Sequence, residues 1–254
     1  MLNKNYKLYK VGGAIRDQIM GIPSKDIDYT FEFKKYFIQQ YSYNKADWFY
    51  GQMNGILKED GFEIFLETPK AFTTRARFPI GHQFEGLTAD FVMARKESYP
   101  NKDTRMPVVE IGTLYDDLER RDFTVNAIAE DENGKLIDPF NGVSDIKEGV
   151  LKCPIDAKTS FNDDPLRVLR LFRFALTKNF IISADCANAV HDDEMWIKFD
   201  KVVSRERVRE ELQKMFKYDS MGAIQLLHTI NRKILQNIVF KDDLWLKPTF
   251  EKRK

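Results

Sequence analysis

Apolar and polar positions alternate with a period of two along YKLYKV, residues 6–11. They do so again over residues 26–33, where Ile27, Tyr29, Phe31 and Phe33 fall on one face and Asp26 and Asp28 on the other. Successive side chains of a strand point to opposite faces, so both segments are read as strands with one buried side. Between them, Gly12-Gly13 and residues 13–20 read as a glycine turn and a short helix, closed by Pro23-Ser24. Residues 34–60 read as helix ending at Gly61, and residues 62–67, 72–78 and 88–93 as strands, with Gly81 and Gly86 flanking a hairpin. Residues 94–115 are charged, contain two prolines and read as a long loop; residues 116–130 read as helix, and 135–137 as a short strand before the Asn141-Gly142 turn. Beyond about residue 155 the period becomes helical. Leu166, Leu169, Phe172 and Leu176 mark a helix over 163–177. Val208, Leu212, Met215 and Phe216 follow a Ser204 cap, and Ile224, Leu227, Ile230, Ile234 and Ile238 run through 219–239. The pattern predicts a mixed α/β domain over residues 1–154 and an all-α domain over 155–254.

Composition narrows the class without naming a chemistry. The 254 residues are 43% hydrophobic and 31% charged, which suits a folded globular chain with a substantial core rather than a disordered one. The net charge is +1, so any surface for nucleic acid is local rather than a property of the whole. The two cysteines, Cys153 and Cys186, form no Cys-x-x-Cys pair and read as buried thiols of a reducing, cytoplasmic environment. No apolar run approaches the ~18 residues of a membrane span, and residues 1–13 lack the apolar region of a signal peptide. His82, His191 and His228 are scattered, without the spacing of a metal-hydrolase cluster.

The chemistry concentrates in residues 8–31, LYKVGGAIRDQIMGIPSKDIDYTF. Two carboxylates on one strand face, opposite a glycine turn that opens a helix, suit a divalent cation held beside phosphate. Glycines let backbone N–H groups approach phosphate oxygens closely. The spacing Gly-Gly, Arg-Asp, Asp-x-Asp resembles the nucleotidyltransferases of the DNA polymerase beta superfamily. Further stretches extend the likeness: DLERRDFTVNAI at 117–128, IDPFNGVSD at 137–145, NDDPLRVLRLFRFA at 162–175 and SRERVREEL at 204–212. In this order they resemble the motifs of the class II tRNA nucleotidyltransferase and bacterial poly(A) polymerase family, over roughly residues 8–216.

That resemblance implies a polymerase-beta-type catalytic head with a mixed sheet, followed by a helical neck that recognises the incoming nucleotide. It implies template-independent addition of C or A, from CTP or ATP, to an RNA 3′ end, with tRNA as the leading substrate. Asp26 and Asp28 become the catalytic, Mg²⁺-holding pair, in a two-metal arrangement. Gly12, Gly13, Arg16 and Arg121 become triphosphate-binding, and Asp122 a ribose contact. Asp164 and Arg167 become the base-edge readers, because a carboxylate accepts from the exocyclic amine of A or C and is repelled by the carbonyl of G or U. Arg170 and Arg173 extend that basic stripe, while Arg205 and Glu211 brace it. Asp90 is placed to be a third carboxylate, and Glu85 a weaker one; the ligand set implied by the family is the first pair alone. The chain departs from the family in carrying Asp163 where Glu is usual. It also lacks most of the body and tail domains that grip tRNA, which leaves room for a homodimer or a partner protein. Poly(A) polymerase is the alternative activity, disfavoured by TTRARF at residues 73–78 in place of a Gly-Arg-Arg-Phe-type segment. A non-catalytic regulatory relative is a further alternative, disfavoured because both aspartates are intact.

Overall fold

A computed structural model describes residues 4–24, 26–100, 104, 106–230 and 239. The chain divides into two compact units, Met1–Pro100 with Pro107–Glu148, and Gly149–Lys254 with Asn101–Met106. In chain order the first contains strands β1 (Tyr6–Val11), β2 (Asp28–Phe33), β3 (Glu63–Thr68), β4 (Thr73–Arg77), β5 (Thr88–Met93), β6 (Arg95–Ser98), β7 (Val108–Ile111), β8 (Ala129–Glu130) and β9 (Leu136–Ile137). Its helices are α1 (Gly13–Ile19), α2 (Lys35–Gln40), α3 (Ala46–Glu59), α4 (Leu114–Glu119) and α5 (Gly142–Glu148).

Seven of these strands form one mixed sheet in the order β3-β4-β5-β2-β1-β8-β9. β2 and β5 run parallel; the other neighbours are antiparallel. The alternation expected over 26–33 holds from Asp28 onward, Asp26 preceding the strand: Phe31 and Phe33 are buried in a core with Phe49, Met53 and Leu57 of α3 and Phe91 of β5. The opposite face of β2 meets α4, where the Thr30 hydroxyl donates to Asp117 (2.8 Å) and Glu32 accepts from the Leu114 amide (2.8 Å).

In this first unit three elements differ most from the sequence reading. The helix expected over 34–60 is two helices, because residues 41–44 turn back on themselves (Asn44 N–H to Tyr41 C=O, 2.9 Å) before α3 starts. The loop expected over 94–115 contains the β6–β7 hairpin. Its inner end is held by Glu97, which takes hydrogen bonds from Arg95 (2.9 Å) and Tyr99 (2.7 Å) and pairs with Arg120 (3.2 Å). The helix expected over 116–130 starts earlier, on a Thr113–Asp116 capping box, and ends at Glu119. Burial of the Arg120 and Arg121 side chains against Asp117 and the β-branched run Thr124-Val125 stop it, and a 3₁₀ turn, Thr124–Asn126, leads into β8.

The second unit contains two short parallel strands, β10 (Val150–Leu151) and β11 (Ile181–Ile182), and helices α6 (Ala157–Asp163), α7 (Leu166–Lys178), α8 (Ala184–Ala189), α9 (Asp193–Val202), α10 (Arg205–Tyr218) and α11 (Ser220–Ile230). Its helices enclose their own core, with Phe161, Leu169, Phe172, Val208, Leu212 and Met215 buried. The helix expected over 163–177 is broken at its first residues. Pro165 has no N–H and pushes Asp164 into an extended conformation (φ −131°, ψ 94°), so Asp163 ends α6 and Leu166 opens α7. Of the stripe expected through 219–239, Ile234 and Ile238 lie outside the described residues. Among the described residues no helix is long and apolar enough to cross a membrane.

Candidate nucleotide and metal site

In the first unit the chain reversal at Gly12 (φ 79°) is the centre of the site. A Cβ added there would lie 3.0 Å from Nη1 of Arg121 and 3.4 Å from Oδ2 of Asp28, so only glycine lets the backbone sit between that guanidinium and that carboxylate. Gly13 rests on Arg16: its Cβ would lie 3.3 Å from Arg16 Nη2. Arg16 is buried, with Nε donating to Asp17 (2.9 Å) and Nη1 to the Asn126 side chain (2.5 Å). It therefore ties the glycine turn to residues 121–126 from beneath rather than lying on an open helix face.

Arg121 is fixed by Asp117 (Nη2 to Oδ2, 3.0 Å) and the Asn126 carbonyl (Nη1, 3.4 Å). Its Nε is buried and has no hydrogen-bond partner among the described residues. Asp117 is fully buried and takes bonds from Thr30, Arg120 and Arg121. Burial alone would raise its pKa; the two guanidiniums and the Thr30 hydroxyl outweigh that and hold the carboxyl well below the usual range. Asp122 is buried and accepts from the Phe123 amide and the Asn126 side chain (both 2.9 Å). Asp145 and Asp138 secure this region from behind. Asp145 accepts from Thr124 (2.6 Å), and Asp138 accepts from the amides of Gly142 (2.7 Å) and Val143 (2.8 Å).

Asp28 stands beside Asp90 in the parallel β2–β5 register, so both carboxylates share a sheet face. Asp90 is clamped by Arg75, Nε at 2.7 Å and Nη2 at 2.6 Å. Burial, then the charges of Asp90 and Asp26, push the Asp28 carboxyl up to about 6, against the opposing pull of Arg121 and Arg75. Asp26 is exposed and borders an open cavity of about 560 Å³ whose walls include Lys10, Gln18, Ser24 and Phe84. Glu85 accepts from the Gly81 amide (2.8 Å), bracing its own turn.

These residues fit a divalent cation. The donors are all carboxylate oxygens, and Asp28 carries negative charge that its surroundings disfavour. No group of three His, Cys, Asp or Glu side chains among the described residues is arranged to hold a metal unaided. That matches the habit of Mg²⁺ of taking one or two carboxylates and completing its shell with phosphate oxygens and water.

The second unit carries the remaining expected residues. Asp164 accepts from the Leu166 amide (3.2 Å), and its carbonyl accepts from the Arg167 amide (3.0 Å); it stands one residue before the N-cap of α7, which is Pro165, rather than at the cap expected of it. Arg167 is buried rather than solvated, with Nη1 donating to Ser160 Oγ at 2.7 Å. Arg173 pairs with the buried Glu211 of α10 and lies 4.1 Å over the Phe174 ring; Arg170 lies 5.5 Å over the same ring. Thr30, Asp117, Asn126, Arg75 and Ser160 join these sites without a sequence expectation of their own. The i,i+4 spacing of Asp117 and Arg121 was a usable signal; the others depend on long-range contacts that leave no local pattern.

A head of mixed sheet built around a glycine turn, two strand aspartates and a buried arginine defines a nucleotidyltransferase-type domain. Residues 8–152 match the poly(A) polymerase head domain, and the chain belongs to that family. It is 33% identical to the mitochondrial CCA tRNA nucleotidyltransferase of Candida glabrata, over 92% of this chain and 43% of that protein. It is 30% identical to the CCA-adding enzyme of Streptococcus gordonii, over 87% of this chain and 51% of that protein. Among solved structures, the Bacillus stearothermophilus CCA-adding enzyme in complex with CTP superposes with a TM-score of 0.68 at 26% identity, covering 88% of this chain and 48% of that one. The Thermotoga maritima CCA-adding enzyme complexed with tRNA gives 0.66 at 26%, covering 96% and 50%. The chain thus spans about half the length of the curated relatives it matches.

Proposed function

We propose that this protein is a template-independent RNA nucleotidyltransferase that adds C and A, from CTP and ATP, to the 3′ end of tRNA. The observation that carries the reading is Gly12 wedged between the Arg121 guanidinium and the Asp28 carboxylate. It is a backbone approach that serves a polyphosphate on one side and a cation on the other.

In this reading Asp26 and Asp28 hold Mg²⁺, which when bound acidifies the attacking hydroxyl and neutralises the triphosphate and departing pyrophosphate. The protein's own contribution is position and charge. Gly12 and Gly13 present backbone to the phosphates, and Arg121, with Nε uncommitted, donates to them. Asp117 keeps Arg121 in place, and Arg16 keeps the glycine turn against it. Asp122 fixes the 121–126 turn through Phe123 and Asn126, and the ribose contact is assigned to its carboxylate. The cavity beside Asp26 is assigned to the RNA terminus. Residues 155–254 act as the nucleotide-recognising neck to the 1–154 head, with Asp164 and Arg167 reading the base edge. Arg170 and Arg173 stiffen α7 through Phe174 and Glu211 and supply positive charge beside it.

The test is incorporation. The chain is incubated with Mg²⁺, each labelled NTP in turn, and tRNAs lacking one, two or all three terminal CCA residues. Addition of C then A, stopping there, is expected; a long A tract would replace the reading with poly(A) polymerase. Asp26→Ala and Asp28→Ala are each expected to reduce transfer to background with an unchanged circular-dichroism spectrum. Full activity in either variant would overturn the metal assignment.

A further inference from the structure

The two cysteines, 33 residues apart in sequence, meet in the second unit with their Sγ atoms 3.8 Å apart. Cys186 is buried in the first turn of α8, and Cys153, after β10, is partly exposed. Both are free thiols. Each thiol perturbs the other: the contact between them raises the pKa of Cys153 and lowers that of Cys186. The pair also adjoins the base-reading residues. Ser160 and Arg167 both act on the Cys153 sulfur, and Ser160 Oγ is the acceptor for Arg167 Nη1 at 2.7 Å.

We propose that Cys153 and Cys186 are a reversible dithiol–disulfide modification site, oxidised by a peroxide, that governs the placement of Arg167 through Ser160. One thiolate attacks a peroxide oxygen, the O–O bond breaks, and a sulfenic acid and one water result. The second sulfur then attacks the first, the S–O bond breaks, and hydroxide leaves with the second thiol's proton as water. Two thiols and hydrogen peroxide become a disulfide and two waters, with two electrons passing from sulfur to oxygen. Closing the gap from 3.8 Å to the about 2.05 Å of a disulfide shifts the Cys153 sulfur and alters its contact with Ser160. The Ser160 bond to Arg167 is disturbed with it. The site rests on the thiol geometry, and its effect on nucleotide choice rests on the base-edge reading of Arg167 given above.

The experiment titrates the reduced 254-residue chain with hydrogen peroxide and follows free thiols, peptide mass and the ratio of CTP to UTP incorporation. Expected are loss of both thiols, a single linked peptide pair containing Cys153 and Cys186, reversal by dithiothreitol, and about a tenfold fall in discrimination for the oxidised chain, the size of one lost hydrogen bond to a charged group. C153S and C186A form no link and keep their discrimination through the peroxide treatment. Separate sulfinic acids, links between chains, or thiols that survive peroxide would overturn the site. A linked pair with unaltered discrimination, while R167A in the reduced chain does alter it, would overturn the coupling. Unaltered discrimination in R167A itself would instead refute the base-edge reading, and the peptide map alone would then decide the redox site.

Discussion

Asp28 is the residue whose surroundings oppose its charge, and the opposition is measurable. Its folded pKa is about 6, against 3.8 as the ordinary value, so the folded state binds its proton more tightly than the unfolded chain does. Well below pH 3.8 both states hold the proton and Asp28 costs nothing. The cost grows as pH rises from 3.8 to about 6 and is constant above that. Asp28→Asn is therefore expected to stabilise the metal-free chain by about 1–3 kcal/mol near neutral pH, shrinking towards zero near pH 4. Urea denaturation at both pH values checks this, and an unchanged or lowered midpoint at neutral pH would contradict it. Mg²⁺ with CTP should stabilise the native sequence and leave the Asn variant unmoved. A residue that weakens the empty protein and is needed by the loaded one is the usual stability–function conflict of a site.

The turn after α4 shows how short elements aim an arginine. α4 has six residues and cannot be stable alone; the buried Asp117 carboxylate, linking Thr30 of β2 to Arg120 and Arg121, anchors it to the sheet. Asp117→Ala leaves two partly buried guanidiniums without their counter-charge and is expected to cost about 3–5 kcal/mol, read as a lowered denaturation midpoint. Asp117→Asn keeps the Thr30 contact and should fall between. Equal stability of all three proteins would remove Asp117 from its anchoring role. The helix that sequence periodicity extends to residue 130 ends here for the same reason. Charge burial and β-branched residues override helix propensity over a few positions, and neither effect has a period to detect.

The two units divide the proposed labour, phosphate and cation in the first, base choice in the second. That division predicts separable defects. By isothermal titration with Mg²⁺ and inorganic tripolyphosphate, which has no base, Arg167→Ala should bind as the native chain does, while Asp28→Asn binds weakly. With CTP against UTP, Arg167→Ala should lose about tenfold in preference and Asp28→Asn should lose affinity for both alike. Loss of tripolyphosphate binding in Arg167→Ala would mean that the division by unit is wrong. With the chain spanning about half of its curated relatives, binding of tRNA itself is best measured directly on this chain rather than carried over.

What the sequence by itself determined is whatever repeats with the geometry of a strand or a helix. The faces of β2, with Asp28 opposite Phe31 and Phe33, the helical character after residue 155 and the Asp-Pro opening of α7 are local, because neighbouring backbone angles dictate where the next side chain points. Order of motifs along the chain added the family. Only the tertiary structure decided that Asp90 stands beside Asp28, that Arg16 reaches Asn126 at 110 positions' distance, that Arg167 is buried on Ser160, and that two isolated cysteines touch. Those contacts arise from sheet register and the packing of elements far apart in sequence. Their energy comes from the burial and pairing of charges that look, in the bare sequence, like an ordinary solvated surface.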